Sequence, residues 1–322
     1  QILSVFTGTG AKRQLTGKLG MAVHGCAALV ALAVIYTTTI VYVDLYVMMV
    51  VFLSAMLALL FLTVSAGPGA RVDRPSVLDW LFVAASISAG IYFFMESERI
   101  AERITLLFPL EMPDLIAASV LLVLTIEATR RTVGFGLTSV VLVFVAYNLL
   151  GHSLPGALGF REVSYNHFLD IMMFTSDGLF GVPLRVAATY AFLFVMFGTF
   201  LAKAGGADFF YDLASAIAGQ RVGGPAKIAV ISSGLYGTMS GSPTSDVVTT
   251  GSVTIPIMQR LGYSKPLSGS VEVAASTGGS LLPPVMGSAA FIMAEYTGIE
   301  YRDIAIAGLV PALLYYLCVY TQ

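Results

Sequence analysis

The sequence predicts an all-α polytopic membrane protein: about five N-terminal spans, then a repeat made of a re-entrant helical hairpin and a broken helix. Three observations carry this reading. The 322 residues are 57% apolar and only 11% charged, with a mean hydropathy of +0.85, whereas a soluble domain is roughly 45–50% apolar and about a quarter charged. The apolar residues are gathered into charge-poor runs of spanning length. After residue 223 the runs shorten and are interrupted by Ser, Gly and Pro. A water-soluble globule and a disordered chain are excluded. The formal net charge of −2 leaves no basic face for nucleic acid. Cys26 and Cys318 both lie in apolar runs, so neither a disulfide framework nor a metal cluster is expected.

A spanning helix needs about 20 predominantly apolar residues. Such runs occupy 21–42, 45–65, 77–95, 114–129, 133–151 and 183–202, and a last one, 301–320, closes the sequence. Residues 1–20 hold Lys12, Arg13 and Lys18 ahead of a first run too long for a cleaved signal, so they read as a cytoplasmic lead-in. The region 21–160 is expected to be one helical membrane region and 161–322 another. Segment 168–180 mixes Met172, Met173, Phe174 and Leu179 with Asp170 and Asp177, and is read as an interfacial helix on the outer surface; 208–218 is read likewise on the inner one.

Beyond residue 223, the segments 225–239 and 247–261 are only about 15 residues long, too short for ordinary crossings. Between them lies Ser240-Gly-Ser-Pro-Thr-Ser-Asp246. Short arms and a polar tip favour a re-entrant hairpin over 224–261, although charge alone does not separate a hairpin from two full crossings. The following run, 266–295, is interrupted by Ser276-Thr-Gly-Gly-Ser280 and by Pro283-Pro284. Proline removes a backbone donor and clashes with the preceding turn, and paired glycines weaken the helix, so this span is read as broken.

Counting Lys and Arg by side, starting inside, gives twelve on the N-terminal side (Lys12, Arg13, Lys18, Arg71, Arg74, Arg130, Arg131, Lys203, Arg221, Lys227, Arg260, Lys265) and five opposite (Arg99, Arg103, Arg161, Arg185, Arg302). Cytoplasmic loops carry the excess of basic residues, so the N-terminus is placed in the cytoplasm.

Non-helical backbone is tolerated at membrane depth only where it is buried in protein or lines a watery cavity. Two such breaks about 30 residues apart suit a transporter, which holds ions and substrate between discontinuous helices. Hydroxyls and freed carbonyls are hard oxygen ligands of the kind sodium takes. The plainer alternative is that small residues merely let helices pack closely. Asp246 at the tip and Glu272 in the first half of the broken span are carboxylates at membrane depth, which are costly and point to function as coupling groups. Glu127, Arg130 and Arg131 read as a solvated or headgroup-facing cluster. His24, His152 and His167 share no metal-ligand spacing. Gly237-Thr-Met-Ser240-Gly241 has one residue too many for a nucleophilic serine turn and no histidine follows it, so an intramembrane enzyme is disfavoured.

The stretches Ser240-Gly-Ser-Pro-Thr-Ser-Asp-Val-Val-Thr-Thr-Gly-Ser-Val-Thr-Ile-Pro256 and Ala275-Ser-Thr-Gly-Gly-Ser-Leu-Leu-Pro-Pro-Val-Met-Gly-Ser-Ala-Ala-Phe-Ile-Met-Ala-Glu295 resemble the large permease subunit of tripartite ATP-independent periplasmic (TRAP) transporters. With Glu127-Ala-Thr-Arg-Arg-Thr-Val-Gly134 upstream, the sequence resembles the fused small/large permeases that serve TAXI-type binding proteins. The resemblance covers about 181–322 well; the first five spans resemble the small subunit only in character. It implies an elevator-type secondary transporter of the bacterial inner membrane, driven by sodium and fed by a periplasmic solute-binding protein with a small carboxylate or dicarboxylate as cargo, and no cofactor besides the ion. Carried over by position, Ser240, Gly241, Ser242, Ser276, Thr277, Gly278 and Gly279 would form the sodium site, and Thr244, Ser245, Asp246, Pro283 and Pro284 the substrate cavity.

The family's transport domain has two inverted repeats, while this sequence holds one hairpin and one double-proline break. The second repeat is therefore expected in a longer form of the chain or in another chain. Pro243 and Asp246 stand where many relatives carry a small apolar residue and Asn, and Ser280 where many carry Gln. An acid at the tip keeps a proton-coupled transporter as an alternative, beside a non-transporting membrane scaffold.

Overall fold

The computed structural model describes residues 9–41 and 43–322; residues 1–8 of the lead-in and Tyr42, at the end of the first predicted span, lie outside the described residues. The described chain is helical, and seven of its helical segments are long and apolar enough to cross a membrane: Gly17–Thr39, Leu45–Thr63, Val77–Met95, Met112–Thr132, Phe135–Ser153, Val182–Lys203 and Tyr301–Thr321. The all-α polytopic reading holds. The chain divides into two compact units, Gln1–Ala188 and Thr189–Gln322. The boundary between these units falls within the π-helical turn Ala187–Ala191.

The first unit contains α1 (Gly17–Thr39), α2 (Leu45–Thr63), α3 (Val77–Met95), α4 (Ser97–Glu102), α5 (Met112–Thr132), α6 (Phe135–Leu150), α7 (Tyr165–Phe174) and α8 (Val182–Val186). Local chemistry sets the starts of these helices. The Asp44 carboxylate accepts from the amides of Tyr46 and Val47 at the head of α2, and Ser76 with Asp79 forms a capping box at the head of α3. Gly90 lets α3 close on α2, because a Cβ there would lie 2.3 Å from Ser54 Oγ. The core runs through Phe61, Phe93, Leu121, Leu169, Met173 and Phe180.

Two expectations fail in this unit. Helix α7 is not laid out on the surface: Phe168, Leu169, Met173 and Phe174 belong to the core, with Phe174 5.4 Å from Phe93 between ring centroids. Asp170 is buried and pairs with Arg103. An amphipathic stripe has the same period whether it meets lipid headgroups or protein, and here protein meets it. Nor is the Glu127 cluster solvated. Arg131 is 2% exposed and joins Glu127 to Asp79 at 2.7 and 2.6 Å, Arg13 reaches Asp79 at 2.5 Å, and Arg130 bonds Glu127 and the Ala66 carbonyl. The described part of the lead-in is stitched to this end of the unit by Gly10 N to Arg131 O, Arg13 N to Thr63 O and Ser65 N to Ala11 O.

The second unit contains α9 (Phe192–Lys203), α10 (Gly206–Ala218), α11 (Gly224–Ser240), α12 (Pro243–Thr249), α13 (Gly251–Arg260), α14 (Lys265–Gly279), α15 (Ser288–Thr297) and α16 (Tyr301–Thr321). Helix α10 buries Ala214 and Ala218 beside Ile228 of α11 and leaves Phe209, Leu213 and Ile217 outward. Helix α11 rises to the tip, where Gly241 takes φ +59° and its amide closes on Gly237 O, an αL cap. Only glycine fits, since a Cβ would lie 2.0 Å from Met286 O. Pro243 starts the return arm, α12 and α13. Helix α14 then stops at Gly279, residues 280–287 form a loop with a cis Pro283–Pro284 bond, and α15 resumes at Ser288. The predicted hairpin and the predicted break are therefore both present. Tyr315 and Tyr316 of α16 donate to the Ala274 and Ala275 carbonyls at 2.8 Å and hold α14 in place.

Candidate functional site

The site lies within the second unit, where the hairpin tip meets the break between α14 and α15. Val285 N bonds Thr238 O at 3.0 Å and Gly287 N bonds Ser280 O at 2.7 Å, so the loop of the break is tied both to the hairpin and to itself. Helices α11 and α14 touch backbone to backbone. A Cβ on Gly237 would lie 2.4 Å from Gly279 Cα, and one on Gly279 would lie 2.7 Å from Gly237 Cα. Small residues permit that approach, as between membrane helices in general.

Asp246 sits in this contact. It is fully buried; Oδ1 accepts from Ser240 Oγ. Oδ2 has no hydrogen-bond partner among the described residues and lies 3.0 Å and 2.9 Å from the Cβ positions that Gly237 and Gly279 leave empty. Both α11 and α14 end beside it, so their C-terminal carbonyls add negative potential to that of the carboxylate.

One helical turn further along, Glu272 is also fully buried and is surrounded by hydroxyls. Ser233 Oγ donates to Oε1 at 2.7 Å, Thr250 Oγ1 to Oε1 at 2.6 Å and Thr254 Oγ1 to Oε2 at 2.5 Å, with Ser276 Oγ at 3.3 Å. Thr250 Oγ1 is also 2.7 Å from Asp246 O. A hydroxyl has one proton to give, so Thr250 donates either to Glu272 or to the Asp246 carbonyl and sits within reach of both. Among the described residues neither carboxylate is in an ion pair.

A cavity of about 470 Å³ opens beside this pair, with Ser240, Ser242, Ser280, Met286, Ser288 and Phe291 in its wall. The first residues of α15, Ser288 and Ala289, line it, and the start of a helix carries amides without intrahelical acceptors.

The predicted site residues separate into groups. Ser240, Gly241, Ser242 and Gly279 gather at the tip, with Ser242 N bonded to Ser240 Oγ at 3.1 Å. Ser276 instead faces Glu272, Thr277 points outward and bonds Val273 O of its own helix, and Gly278 is the seat for the Tyr315 and Tyr316 rings. Asp246, expected on the substrate-cavity wall, is turned inward to Ser240; burial among Gly237, Gly279 and Ser240 is the reason. Thr244 and Ser245 are exposed, and Ser242 Oγ lies 3.3 Å from Thr244 Oγ1. The carbonyl of Pro284, next to Pro283, accepts from Tyr301. Sequence reading missed Gly237, Ser233, Thr250 and Thr254. The last two were signalled by helical spacing, since Thr250 and Thr254, like Glu272 and Ser276, are four residues apart and share a face.

A hairpin abutting a broken helix, with buried acids and small residues at the junction, is the construction of a membrane transporter repeat. The comparisons make the class specific: residues 120–322 match the family "Tripartite ATP-independent periplasmic transporter, DctM component", and the chain belongs to that family, one of permeases and not of enzymes. The match begins within α5, well upstream of 181 where the motif resemblance was strong. The chain is 31% identical over 153 residues to the C4-dicarboxylate TRAP transporter large permease protein DctM of Pseudomonas aeruginosa, covering 45% of this chain and 35% of that protein. It is 32% identical over 121 residues to the DctM of the same description from Vibrio cholerae (38% and 26%). To the ectoine TRAP transporter large permease protein TeaC of Halomonas elongata it is 29% identical over 122 residues (38% and 28%). The chain thus spans about a quarter to a third of the length of these relatives. No solved structure matches it.

Proposed function

We propose that this chain is the membrane component of a sodium-coupled secondary transporter that takes up a small organic anion, a carboxylate or dicarboxylate, delivered by a periplasmic solute-binding protein of the TAXI type. The observation that carries the proposal is the junction of the hairpin tip and the α14–α15 break, where two buried acids meet hydroxyls and helix-terminal carbonyls and, among the described residues, neither is in an ion pair. Buried negative charge with hard oxygen neighbours calls for a small hard cation. Ser240, Gly279 and Asp246 are the assigned ion ligands, with Gly241 and Ser242 shaping the tip. The cavity beside them, with the amide end of α15 in its wall, suits an anionic cargo. The names of the relatives, for C4-dicarboxylates and for ectoine, support small polar cargo.

The remaining parts of the reading follow from the family resemblance and the charge count. The transport unit moves as an elevator in the bacterial inner membrane with the N-terminus in the cytoplasm. The first five spans stand for the fused small subunit, and a second repeat from the same longer chain or another chain completes the transport domain. The unpartnered Asp246 Oδ2 supports a second reading, in which a proton replaces sodium at the same place.

The test is uptake into proteoliposomes holding the full-length gene product, with a panel of carboxylates, the candidate binding protein and imposed sodium or proton gradients. Uptake that needs both sodium and the binding protein is the expected result. Flux driven only by a proton gradient would transfer the site to the second reading, and no flux under either gradient, with correct insertion shown, would leave the scaffold alternative.

A further inference from the structure

We propose that the end of the first unit around Arg13, Arg71 and Arg74 binds the phosphate group of an anionic phospholipid. Two adjoining cavities lie there. One of about 610 Å³ has Arg13, Arg71, Arg74, Ser76 and Asp79 in its wall. The other, of about 700 Å³, shares Arg71 and Arg74 and adds Thr16, Leu19 and Asp73.

The charge balance of this pocket is positive. Asp79 is already held by Arg13 at 2.5 Å and by Arg131 at 2.6 Å. Arg71 and Arg74 have no carboxylate within ion-pair distance among the described residues, and both are exposed. Arg13 is buried, spends its terminal nitrogens on Phe61 O, Leu62 O and Asp79, and its Nε has no acceptor among the described residues. A buried guanidinium N–H without a partner is costly, and an anion in the adjoining space lowers that cost through its field.

The loop that carries the two free arginines is held in shape. Ser65 N bonds Ala11 O at 2.9 Å, Gln14 N bonds Val72 O at 3.3 Å and Arg130 bonds Ala66 O at 2.8 Å. Guanidinium forks at fixed positions match phosphate geometry.

A lipid, rather than a free phosphate, is favoured by what begins beside the pocket. In the first turns of α3, Val77, Leu78 and Leu81 are 78%, 62% and 58% exposed, and Trp80 is 47% exposed. An apolar helix face that starts at the level of a basic pocket offers acyl chains a surface directly below the headgroup, and tryptophan marks the membrane–water interface.

Trp80 is the only tryptophan in the chain and so reports on this place alone. The purified chain, in nanodiscs of phosphatidylcholine, is titrated with phosphatidylglycerol carrying brominated acyl chains, which quench tryptophan on contact, or with equally brominated phosphatidylcholine. Preferential quenching by phosphatidylglycerol is expected, with the preference falling about fivefold for each of Arg71→Gln and Arg74→Gln and surviving Lys18→Gln, a surface cation outside both cavities. Helical content by circular dichroism checks that each variant folds, and Arg71→Lys and Arg74→Lys, which keep the charge and lose the fork, are expected to restore the preference in part. Equal quenching by the two lipids, or an equal loss in Lys18→Gln, would overturn the proposal. Protection by inorganic phosphate without any lipid preference would overturn the lipid assignment and leave a soluble anion as the ligand.

Discussion

The two units bury carboxylates in opposite company. In the first, Asp79 and Glu127 are clamped by Arg13, Arg130 and Arg131, so each negative charge has a guanidinium within 2.7 Å. In the second, Asp246 and Glu272 have only hydroxyls and backbone around them. A buried acid with an arginine is a closed account of charge, and little is gained by changing it. A buried acid facing hydroxyls alone is open: it needs a proton or a bound cation whenever it is in the low-dielectric interior. The first cluster therefore reads as architecture, and the difference supports the proposal of an ion site in the second.

That contrast is broken or sharpened most strongly at Asp79. Asp79→Ala leaves the buried Arg13 and Arg131 facing each other without their shared acid and removes the carboxylate half of the capping box of α3, while Ser76 Oγ still accepts from the backbone amide of residue 79. Breaking a buried pair costs about 3–5 kcal/mol. Thermal unfolding in detergent, followed by circular dichroism, should show a large loss, with sodium having no influence on the difference. A loss below about 1 kcal/mol would mean that the network is wet and worth no more than a surface pair.

The second test is Glu272→Gln, which keeps shape and removes charge. The amide oxygen still accepts from Ser233 and Thr250, and its NH2 can donate to Thr254 Oγ1, whose own proton has the Thr250 carbonyl as acceptor at 3.1 Å, so the unfolding transition should move little. Ion-dependent uptake should instead fall about tenfold or more, within the range of a coupling free energy of roughly 1–3 kcal/mol. If uptake keeps its ion dependence, Glu272 is a structural acceptor and the contrast with Asp79 narrows to Asp246.

Gly279→Ala comes next. The added methyl would lie 2.7 Å from Gly237 Cα and 2.9 Å from Asp246 Oδ2, so α11 and α14 must separate. Overpacking of this kind costs about 1–3 kcal/mol. The apparent affinity for the coupling ion in uptake assays should weaken with it, whereas the corresponding change at Gly25, which has open space around it, should alter neither stability nor uptake.

How much of this was legible in the sequence depends on the distance over which the signal acts. Helix ends at Gly241, Pro243 and Gly279 could be read because glycine and proline act on their own backbone. The hydroxyl shell of Glu272 was half legible, through four-residue spacings within α13 and α14. The ion network of the first unit was not. Asp79 lies 66 residues from Arg13 and 52 from Arg131, and nothing local in Ser76-Val-Leu-Asp79 separates a helix cap from an ion-pair centre. Helix α7 misled for a related reason, because an apolar stripe does not say which surface will cover it. Among the proposed ion ligands, motif position placed Ser276, Thr277 and Gly278 beside Ser240, but α14 turns about 100° per residue, so consecutive residues cannot all face one point.

Thr277 therefore gives the finest discrimination and the smallest effect. Its hydroxyl is exposed and returns to Val273 O at 2.7 Å, one turn back in α14, while its neighbours face Glu272 on one side and the tyrosines of α16 on the other. Thr277→Val keeps the branched shape and deletes only this outward hydroxyl. Stability should stay within about 0.5 kcal/mol and the sodium dependence of uptake should be unchanged, whereas Ser240→Ala, which strips the Asp246 carboxylate of its hydrogen bond from Ser240 Oγ, should shift it. A sodium-affinity loss in Thr277→Val equal to that in Ser240→Ala would show that α14 rotates during transport and brings this face to the ion, and the open charge of the second unit would then belong to a moving helix.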